Sequence, residues 1–246
     1  MHKGGVHIMK NVVRKADESV YLAEDRLEKP KDTQQFIVSL FERSFKTRLP
    51  ESVLDIGCAA GEFLYLLKKR FPKCDCYGID TVESLIKKAK ENVANVSFKT
   101  HSIFDTPYYH GKTFDAVFCL GVVSIFDDIE RVLKCILSST KKGSLVYISG
   151  IFNPEPVDAL IVYRNSTTDL KEPWQSGWNN FSQQTVNTIL DPMVRSYTWR
   201  RHKMPFMLPK QVDPMRTWTV KTEGDQFQRI NGIGLLYDLW IVEIEV

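Results

Sequence analysis

The sequence predicts a Rossmann-like, doubly wound α/β fold whose mainly parallel sheet has seven strands, the last of them antiparallel. Between positions 50 and 150, short apolar segments alternate with helical segments, an order that produces right-handed βαβ units. The segment Phe114–Val122 is almost wholly apolar, as a strand buried on both faces must be. Strand character returns in Arg216–Gly224 and Tyr237–Glu245, where a reversing hairpin makes the final strand antiparallel.

The core of the sheet is predicted from five strands and three helices. The strands are Val53–Gly57, Asp75–Asp80, Val96–Ser102, Phe114–Val122 and Ser144–Gly150. The helices are Glu62–Phe71, Glu83–Asn92 and Ile129–Leu137. Phe63, Leu66 and Leu67 share one side of the first helix, opposite its lysines, so that side is expected to pack on the sheet. Asp127 and Asp128 are placed to cap the third helix.

A single domain is expected to contain all 246 residues, because a chain of this length buries ample core without disulfides. Residues 1–50 are expected to form an N-terminal helical cap before the core at 51–150. The cap ends in a predicted helix over Asp32–Leu49, for which Asp32 is the expected N-cap and Gln35 completes a capping box.

The strand–helix pattern breaks down after the fifth strand. Residues 151–210 contain many prolines and aromatic residues, and they predict an insertion that lies over the edge of the sheet. Short helices are expected there at 155–164 and 182–190. Residues 211–246 are expected to supply the strands that complete the sheet.

The composition excludes several classes of protein. Hydrophobic residues make up 43% and charged residues 26% of the chain, values typical of globular proteins rather than disordered or coiled-coil ones. No apolar run reaches the roughly 18 residues of a membrane span. The first residues lack the apolar stretch of a signal peptide, so a cytoplasmic location is expected. A net charge of +3 gives no support for nucleic-acid binding.

The five cysteines are expected to be reduced thiols, because they are odd in number and scattered in a chain without an export signal. Cys74 and Cys76 share one face of a predicted strand. No second Cys or His pair stands at ligand spacing, so no metal site is expected.

The turn after the first predicted strand is the candidate ligand site, since doubly wound sheets bind ligands at the carboxyl ends of their strands. Its sequence is DIGCAAGE, in which Gly57 permits a sharp turn and Gly61 a tight start to the helix. The two glycines are four residues apart, which does not match the dinucleotide fingerprint. Asp55 suits a ligand amine, and Asp80, which ends the second strand, suits ribose hydroxyls. An amine and a ribose together describe S-adenosylmethionine better than a dinucleotide.

These segments resemble the motifs of the class I S-adenosylmethionine-dependent methyltransferases. VLDIGCAAGEF resembles their first motif and YGID their second, and the resemblance covers residues 50–150. It implies a methyltransferase in which particular residues hold the cofactor. These are Asp55, Gly57, Cys58, Ala59 and Gly61 at the methionine part, Asp80 and Thr81 at the ribose, Ser102, Ile103 and Phe104 at the adenine, and Cys119, Leu120 and Gly121 beneath the sulfonium.

The sequence departs from the family pattern at three places. Ala59 stands where the family usually has glycine, and Ser102 stands where an aspartate often contacts the adenine amino group. Leu120–Val123 lacks the Asp/Asn-Pro-Pro-Tyr signature of amino-methylating DNA and RNA enzymes, which argues against methylation of a nucleobase.

Basic residues between positions 195 and 216 leave two interpretations open. They form either a solvated face or a pocket for an acidic or phosphorylated acceptor, because guanidinium groups match such oxyanions bidentately. The arginines of this stretch are Arg195, Arg200, Arg201 and Arg216. His202 is the first candidate for a general base and His110 the second, although an acceptor that is already anionic needs no base.

Aromatic residues are the other candidates for the acceptor site. Trp178, together with Trp174 and Trp199, either stacks on the acceptor or forms the small core of the insertion. The family resemblance implies that Tyr21 belongs to an N-terminal lid over the cofactor.

Three segments are similar, more weakly, to bacterial methyltransferases of surface-polysaccharide biosynthesis: Ser176–Val186, Pro214–Gly224 and the closing Ile230–Ile244. This similarity favours O-methylation, by in-line displacement, of a small anionic or sugar-type acceptor such as a capsule or lipopolysaccharide precursor, or of a phosphate-type group. The alternatives are an RNA or protein methyltransferase that uses the basic stretch and a non-catalytic cofactor-binding module. The expected partner is therefore a small molecule or glycan precursor, bound by a monomer or homodimer.

Overall fold

The computed structural model describes residues 13–14, 18–24, 26–45, 49–166, 171 and 173–246, so part of the predicted N-terminal cap lies outside the described residues. The strands are β1 (Val13–Arg14), β2 (Ser52–Ile56), β3 (Asp75–Asp80), β4 (Val96–Thr100), β5 (Phe114–Leu120), β6 (Thr140–Asn153), β7 (Val162–Tyr163), β8 (Gln175–Ser176), β9 (Phe181–Ser182), β10 (Ser196–His202), β11 (Trp218–Lys221), β12 (Phe227–Ile230) and β13 (Leu239–Glu245). The helices are α1 (Glu18–Ala23), α2 (Asp32–Ser44), α3 (Glu62–Arg70), α4 (Glu83–Asn92), α5 (Ile129–Leu137) and α6 (Gln183–Leu190). Within the described ranges, no helix has both the length and the apolar character needed to cross a membrane.

Among the described residues the main sheet has eight strands: seven follow the order β10-β13-β6-β5-β2-β3-β4, and β9 pairs in parallel with the end of β6. The pairs β2–β3, β2–β5, β3–β4 and β5–β6 are parallel. Strand β13 lies antiparallel between β6 and β10. The predicted fold class, including an antiparallel final strand, is therefore confirmed.

Side chains of the central strands alternate between two helical layers. Val53 of β2 belongs to a buried cluster that includes Phe41 of α2 and Leu64 of α3. Its neighbour Leu54 belongs to a second cluster, which includes Val132 of α5. Burial on both faces explains why β2 and β5 are nearly continuous apolar sequences, and it leaves the ends of the strands as the place where polar residues can gather.

The bounds of β3, α4 and α5 match the prediction from the sequence. Asp128 caps α5, since its Oδ1 accepts a hydrogen bond of 2.9 Å from the Arg131 N–H. Helix α2 begins at Asp32, but the prediction that Asp32 caps it is wrong. Gln34 completes the first turn in place of Gln35, because its Oε1 accepts from the backbone N–H of Lys31 at 3.1 Å.

The insertion differs from its prediction in two ways. Residues 155–164 form no helix and instead contain β7, whereas the second predicted helix is present as α6. The edge strand of the main sheet, β10, lies inside the range assigned to the insertion. The predicted strand Arg216–Gly224 is present in part as β11, but β11 pairs with β12 in a separate hairpin. The sequences of β10 and β11 both alternate polar and apolar residues. Their pairing in the folded chain therefore decides which of the two joins the main sheet.

A buried histidine joins α2 to two strands from the C-terminal part of the chain. His202, which ends β10, is 2% exposed. Arg229 Nη2, in β12, lies 2.8 Å from His202 Nδ1, and His202 Nε2 lies 2.7 Å from Asp32 Oδ2. A guanidinium can only donate, so Nδ1 accepts and Nε2 donates its hydrogen to Asp32. His202 is therefore neutral, and burial lowers its pKa against the opposing hydrogen bond with Asp32.

Replacement of His202 is expected to destabilise the fold in a pH-dependent way. His202→Ala removes an acceptor from the buried Arg229, which costs about 1–3 kcal/mol of unfolding free energy. The unfolded chain protonates this histidine near its ordinary pKa of about 6.5, whereas the folded chain resists protonation. The contribution is therefore complete above about pH 6.5 and declines as the pH falls below that value.

Denaturant unfolding of wild type and His202→Ala at about pH 7.5 and about pH 5.5 measures this effect. The difference between the two proteins should be smaller at the lower pH. His110→Ala serves as the control, because His110 is an exposed histidine. If the unfolding free energies of wild type and His202→Ala differed by the same amount at both pH values, the neutral, hydrogen-bonded state of His202 would be contradicted.

Candidate active site

A cavity of about 550 Å³ opens at the carboxyl ends of β2, β3 and β5. Its floor is made by the turns that follow these strands. Its walls come from α1, from the first turns of α2, from Trp178 of the insertion and from Leu239 at the start of β13. This volume is within the range of small-molecule sites, and the position is the one that a doubly wound sheet provides.

The turn after β2 brings the backbone against the cavity. Gly57 has a φ of +78°, and a Cβ at this position would lie 2.4 Å from Val122 Cγ2, so no larger residue fits. The N–H groups of Gly57 and Cys58 donate to the Ile79 carbonyl at 2.8 and 3.0 Å. The turn is therefore fastened to the end of β3. Ala59 has a φ of 46°, a conformation that its small side chain tolerates.

Asp55, Glu62 and Asp80 place three carboxylates at the cavity floor. Asp55 is 2% exposed, and its Oδ1 has no hydrogen-bond partner within the described part of the chain. Burial, and then the charges of Asp80 and Glu62, raise the pKa of Asp55 well above its usual value. Burial also raises the pKa of Glu62. A cationic ligand would offset this mutual repulsion and favour the ionised forms.

Asp80 connects the two strand-end turns. Its Oδ2 accepts from the Ala59 N–H and its Oδ1 from the Val82 N–H, both at 3.0 Å. Each carboxylate oxygen retains a further lone pair, so Asp80 can also accept hydrogen bonds from ligand hydroxyls.

Most of the predicted cofactor residues line the cavity: Asp55, Gly57, Cys58, Ala59, Asp80, Thr81, Ile103, Leu120 and Gly121. Four do not. Gly61 lies at the start of α3 with a φ of +84°, and Cys119 is fully buried. Ser102 Oγ accepts from the Phe104 N–H at 3.1 Å, and the Phe104 ring packs against Phe126 with its centre 5.0 Å away. These four residues therefore lie next to the cavity-lining residues in the chain but outside the lining itself.

His101 lines the cavity, although the sequence analysis did not single it out. It directly follows β4, and its N–H donates to the Asp80 carbonyl at 2.8 Å. Its Nε2 lies 2.6 Å from the Asp105 carbonyl oxygen. The sequence did contain a feature that could have indicated His101: it lies at the carboxyl end of the third predicted strand, next to Ser102.

The structure brings neither histidine proposed as a base to the cavity wall. His202 is buried and uses both ring nitrogens with Asp32 and Arg229, so no nitrogen remains to accept a proton from an acceptor. His110 lies in the segment before β5 and is therefore at the amino ends of the parallel strands, opposite the cavity. These two assignments from the sequence are corrected.

The arginines of the basic stretch also lie outside the cavity lining. Each forms an ion pair with a nearby carboxylate, and all of these pairs are partly exposed. The pairs are Arg195–Glu245, Arg200–Glu243 and Arg201–Asp238, each at 2.6 Å, and Arg216–Asp213 at 3.3 Å. The structure therefore supports a solvated face rather than an acceptor pocket for these residues.

Helix α1 forms one wall of the cavity, called the N-terminal wall below, and a lysine of α4 holds the end of this helix. Glu18 and Tyr21 of α1 line the cavity, and the lid over the cofactor that the family resemblance implies for Tyr21 stays a prediction. Lys88 Nζ in α4 donates to the carbonyl oxygens of Leu22 and Glu24, at 2.7 and 3.0 Å. The last carbonyl groups of a helix have no partner within it, and here the side chain of Lys88 supplies hydrogen bonds to those at the end of α1.

Trp178 reaches the cavity from the insertion, and its neighbour Asn179 holds it there. Asn179 is 1% exposed. Its N–H donates to the Ser124 carbonyl at 2.6 Å, and its Nδ2 donates to the Phe126 carbonyl and Asp127 Oδ1 at 2.9 and 2.7 Å. These bonds join the insertion to the segment after β5, which also lines the cavity.

The other two tryptophans proposed from the sequence lie outside the lining. Trp199 Nε1 donates to Asn187 Oδ1 at 2.8 Å, and its ring packs against Phe152. The Trp174 ring centre lies 5.1 Å from the Arg164 guanidinium carbon. Trp178 is thus the member of this group that lines the cavity.

Comparison with known proteins agrees with the cavity's chemistry. A family model described as a methyltransferase domain matches residues 50–196. The chain belongs to this methyltransferase-domain family. Its fold is that of the class I S-adenosylmethionine-dependent methyltransferases, and S-adenosylmethionine is the cofactor of the family.

Solved methyltransferases share this fold at low sequence identity. The plantazolicin methyltransferase BpumL, solved with an analogue of desmethylPZN and SAH, is 16% identical with a TM-score of 0.58, covering 94% of this chain and 91% of its own. The N-methyltransferase NodS of Bradyrhizobium japonicum WM9, solved with S-adenosylhomocysteine, is also 16% identical, with a TM-score of 0.50 and coverage of 93% and 95%.

Curated relatives match shorter stretches of this chain. The demethylmenaquinone methyltransferase of Thermotoga maritima is 29% identical over 40% of this chain and 43% of its own length. The mitochondrial ubiquinone biosynthesis O-methyltransferase of Homo sapiens is 27% identical over 59% of this chain and 42% of its own. The chain spans less than two thirds of the length of the curated relatives that it matches.

The residues present fit S-adenosylmethionine. The unpartnered Oδ1 of Asp55 is a buried acceptor suited to the cofactor's amino group, and Asp80 can receive ribose hydroxyls. The surplus of carboxylates on the floor suits the positive charge of a sulfonium. Asp55, Asp80 and the Gly57–Ala59 turn would therefore hold the methionine and ribose parts.

Cofactor affinity is expected to rise with pH, because ionisation of Asp55 strengthens its attraction for the cofactor's positive charge. The pKa of Asp55 is raised in the free protein, and a bound cation lowers it, so binding releases a proton. Asp55→Asn is expected to weaken binding about tenfold or more and to flatten the pH dependence.

Calorimetric titration of S-adenosylmethionine into both proteins, from about pH 5.5 to about pH 8.5, tests this expectation. Ionisation of the cofactor's own amine is common to both titrations, so the difference between them isolates Asp55. Parallel pH profiles for the two proteins would rule out this role for Asp55.

Proposed function

We propose that this chain transfers the methyl group of S-adenosylmethionine to an oxygen of a small acceptor held between the N-terminal wall and Trp178. The observation that carries the proposal is the acidic cavity floor at the ends of β2 and β3, where Asp55 is buried with an unused acceptor oxygen. Such a floor favours a positively charged cofactor over its neutral thioether product, which aids product release.

S-adenosylmethionine supplies a methyl group on a positively charged sulfur, which a nucleophile displaces in line. The chain contributes position: the floor holds the cofactor, while Tyr21 and Trp178 bound the space above it. Both proposed histidine bases lie outside the lining, whereas His101 lies within it. Proximity is therefore the main contribution of the protein toward an acceptor oxygen that is already anionic, and His101 is the remaining candidate to take the proton of a hydroxyl acceptor. An acceptor oxygen that ionises readily fits this arrangement.

The acceptor class that we propose is a sugar-type or anionic molecule, such as a precursor of a capsule or lipopolysaccharide. Aromatic faces at Tyr21 and Trp178 suit the apolar face of a sugar ring. Arg26 and Lys31 also line the cavity and suit an anionic group, although both contact Glu24, at 3.5 and 2.8 Å. The weak similarity of Ser176–Val186 to methyltransferases of surface-polysaccharide biosynthesis supports the same class.

A nucleic-acid or protein acceptor receives less support. The arginines on which that alternative depended are paired with Glu245, Glu243, Asp238 and Asp213. A cavity of about 550 Å³ with walls on several sides is better suited to a small molecule than to an extended chain.

Substitution of Asp80 tests the cofactor assignment. Asp80→Asn removes the negative charge and one acceptor from the ribose position, so binding of S-adenosylmethionine should weaken about 10-fold to 100-fold. Asp75→Asn is the matched control, because Asp75 is an exposed aspartate at the opposite end of the same strand.

Calorimetry on wild type, Asp80→Asn and Asp75→Asn gives the three dissociation constants. Equal affinities for wild type and Asp80→Asn would refute the assignment of Asp80. Tight binding to wild type, with no methyl transfer to any of a panel of sugar, sugar-phosphate and phenolic acceptors, would favour the non-catalytic alternative.

Trp178 is expected to affect the acceptor and not the cofactor. Trp178→Ala removes one wall of the acceptor space and should raise the acceptor KM about tenfold, with little change in cofactor affinity. Asn179→Ala should act in the same direction, because Asn179 touches the segment after β5 and holds Trp178 in place.

Steady-state kinetics with a transferred isotopic methyl group measure both constants. Trp174→Ala is the control, since Trp174 belongs to the insertion but lies outside the cavity lining. Loss of cofactor affinity in Trp178→Ala, or an equal KM change in Trp174→Ala, would contradict an acceptor-binding role.

A further inference from the structure

Exposed apolar side chains are concentrated on the side of the sheet where the parallel strands have their carboxyl ends, called the cavity edge below, because the cavity opens there. Among the described residues, ten large hydrophobic side chains are exposed, and only Leu49 lies just before a parallel strand, at the opposite edge. The others lie on α1 or in segments that follow β6 and β10 or precede β13. Strands β6 and β10 run toward the cavity edge and β13 starts from it, so topology places these segments together.

The segment after β10 is the most prominent of these, and residues 203–212 are called the apolar loop below. Phe206 and Met207 at its tip are 46% and 67% exposed. The base of the tip is fixed: Met204 is buried, and Leu208 exchanges hydrogen bonds with Thr219 at 2.8 and 3.1 Å. The tip therefore projects from a well-anchored base.

The backbone of the tip is unsuited to pairing with a strand of another protein. Pro205 and Pro209 stand on either side of the tip, and neither has an N–H to donate. Phe206 and Met207 are exposed at the tip of a loop, so they are better placed to enter a soft layer than to receive a partner helix.

The charge of the apolar loop points to the chemistry of its partner. Lys203 and Lys210 flank the tip, and the loop contains no acidic residue. Neither lysine forms an ion pair within the part of the chain that the structure describes, and both are exposed. Apolar side chains flanked by lysines match a bilayer with anionic headgroups, where the chains enter the interface and the ammonium groups meet phosphates.

We propose that the apolar loop docks this chain on an anionic lipid surface, with Phe206 and Met207 among the headgroups. The cavity opens at the same edge, so docking would turn its mouth toward the bilayer. The proposal goes beyond the methyl-transfer function, and it deepens that function by favouring an acceptor that carries a lipid tail. Contact with the bilayer itself does not depend on catalysis.

Vesicle co-sedimentation tests the proposal on the full chain. Wild type is expected to bind vesicles that contain both phosphatidylcholine and phosphatidylglycerol. It should not bind vesicles made only of phosphatidylcholine. Phe206→Ser with Met207→Ser should weaken that binding about tenfold or more. Lys203→Gln with Lys210→Gln should weaken binding to the anionic vesicles and reduce its sensitivity to salt.

Leu49→Ser is the matched control, because Leu49 is 63% exposed but lies at the opposite edge of the sheet. It should bind anionic vesicles as wild type does. Titration of S-adenosylmethionine into every variant checks that the fold and the cofactor site are intact, so failure of docking is distinguishable from failure of the methyl-transfer function. Absence of wild-type binding to anionic vesicles, or binding that survives the Phe206 and Met207 substitutions, would overturn the proposal.

Discussion

Parallel pairing of β2 with both β3 and β5 is the constraint on which the site depends. It requires every crossover to begin at the same edge of the sheet, so the turns after these strands must share one small space. Asp55 and Asp80 are brought together there, although 24 residues lie between them in the sequence. Since both faces of the sheet are covered by helices, the strand ends are the place where such polar groups can be exposed to a ligand.

The electrostatics of the cavity follow from that placement. Burial and mutual repulsion keep the pKa of Asp55 high in the absence of a cation, and the polypeptide supplies no hydrogen-bond donor to its Oδ1 within the described residues. An arrangement that is unfavourable in the free protein becomes favourable when a positive ligand is bound. Binding of a positively charged ligand would thus offset the unfavourable free energy of gathering these carboxylates.

The upper walls depend on hydrogen bonds between distant parts of the chain. Lys88 holds the end of α1, and Asn179 joins the insertion to the segment after β5. His202 joins the first turn of α2 to the end of β10 and, through Arg229, to β12. Asn179 and His202 each use several polar atoms in a buried position, so the loss of either leaves partners unsatisfied and loosens the wall that it supports.

The sequence by itself determined the order of strands and helices between residues 50 and 150, the bounds of β3, α4 and α5, and the turn around Gly57, because these depend on local periodicity and on glycine. Tertiary structure alone decided which weakly patterned strand completes the sheet: β10 pairs with β13, whereas β11 pairs with β12. It also decided that His202 is a buried connector and that Arg200 pairs with Glu243. The partners of a histidine or arginine lie far away in the sequence, so only the folded chain sets whether such a group is free to meet a ligand.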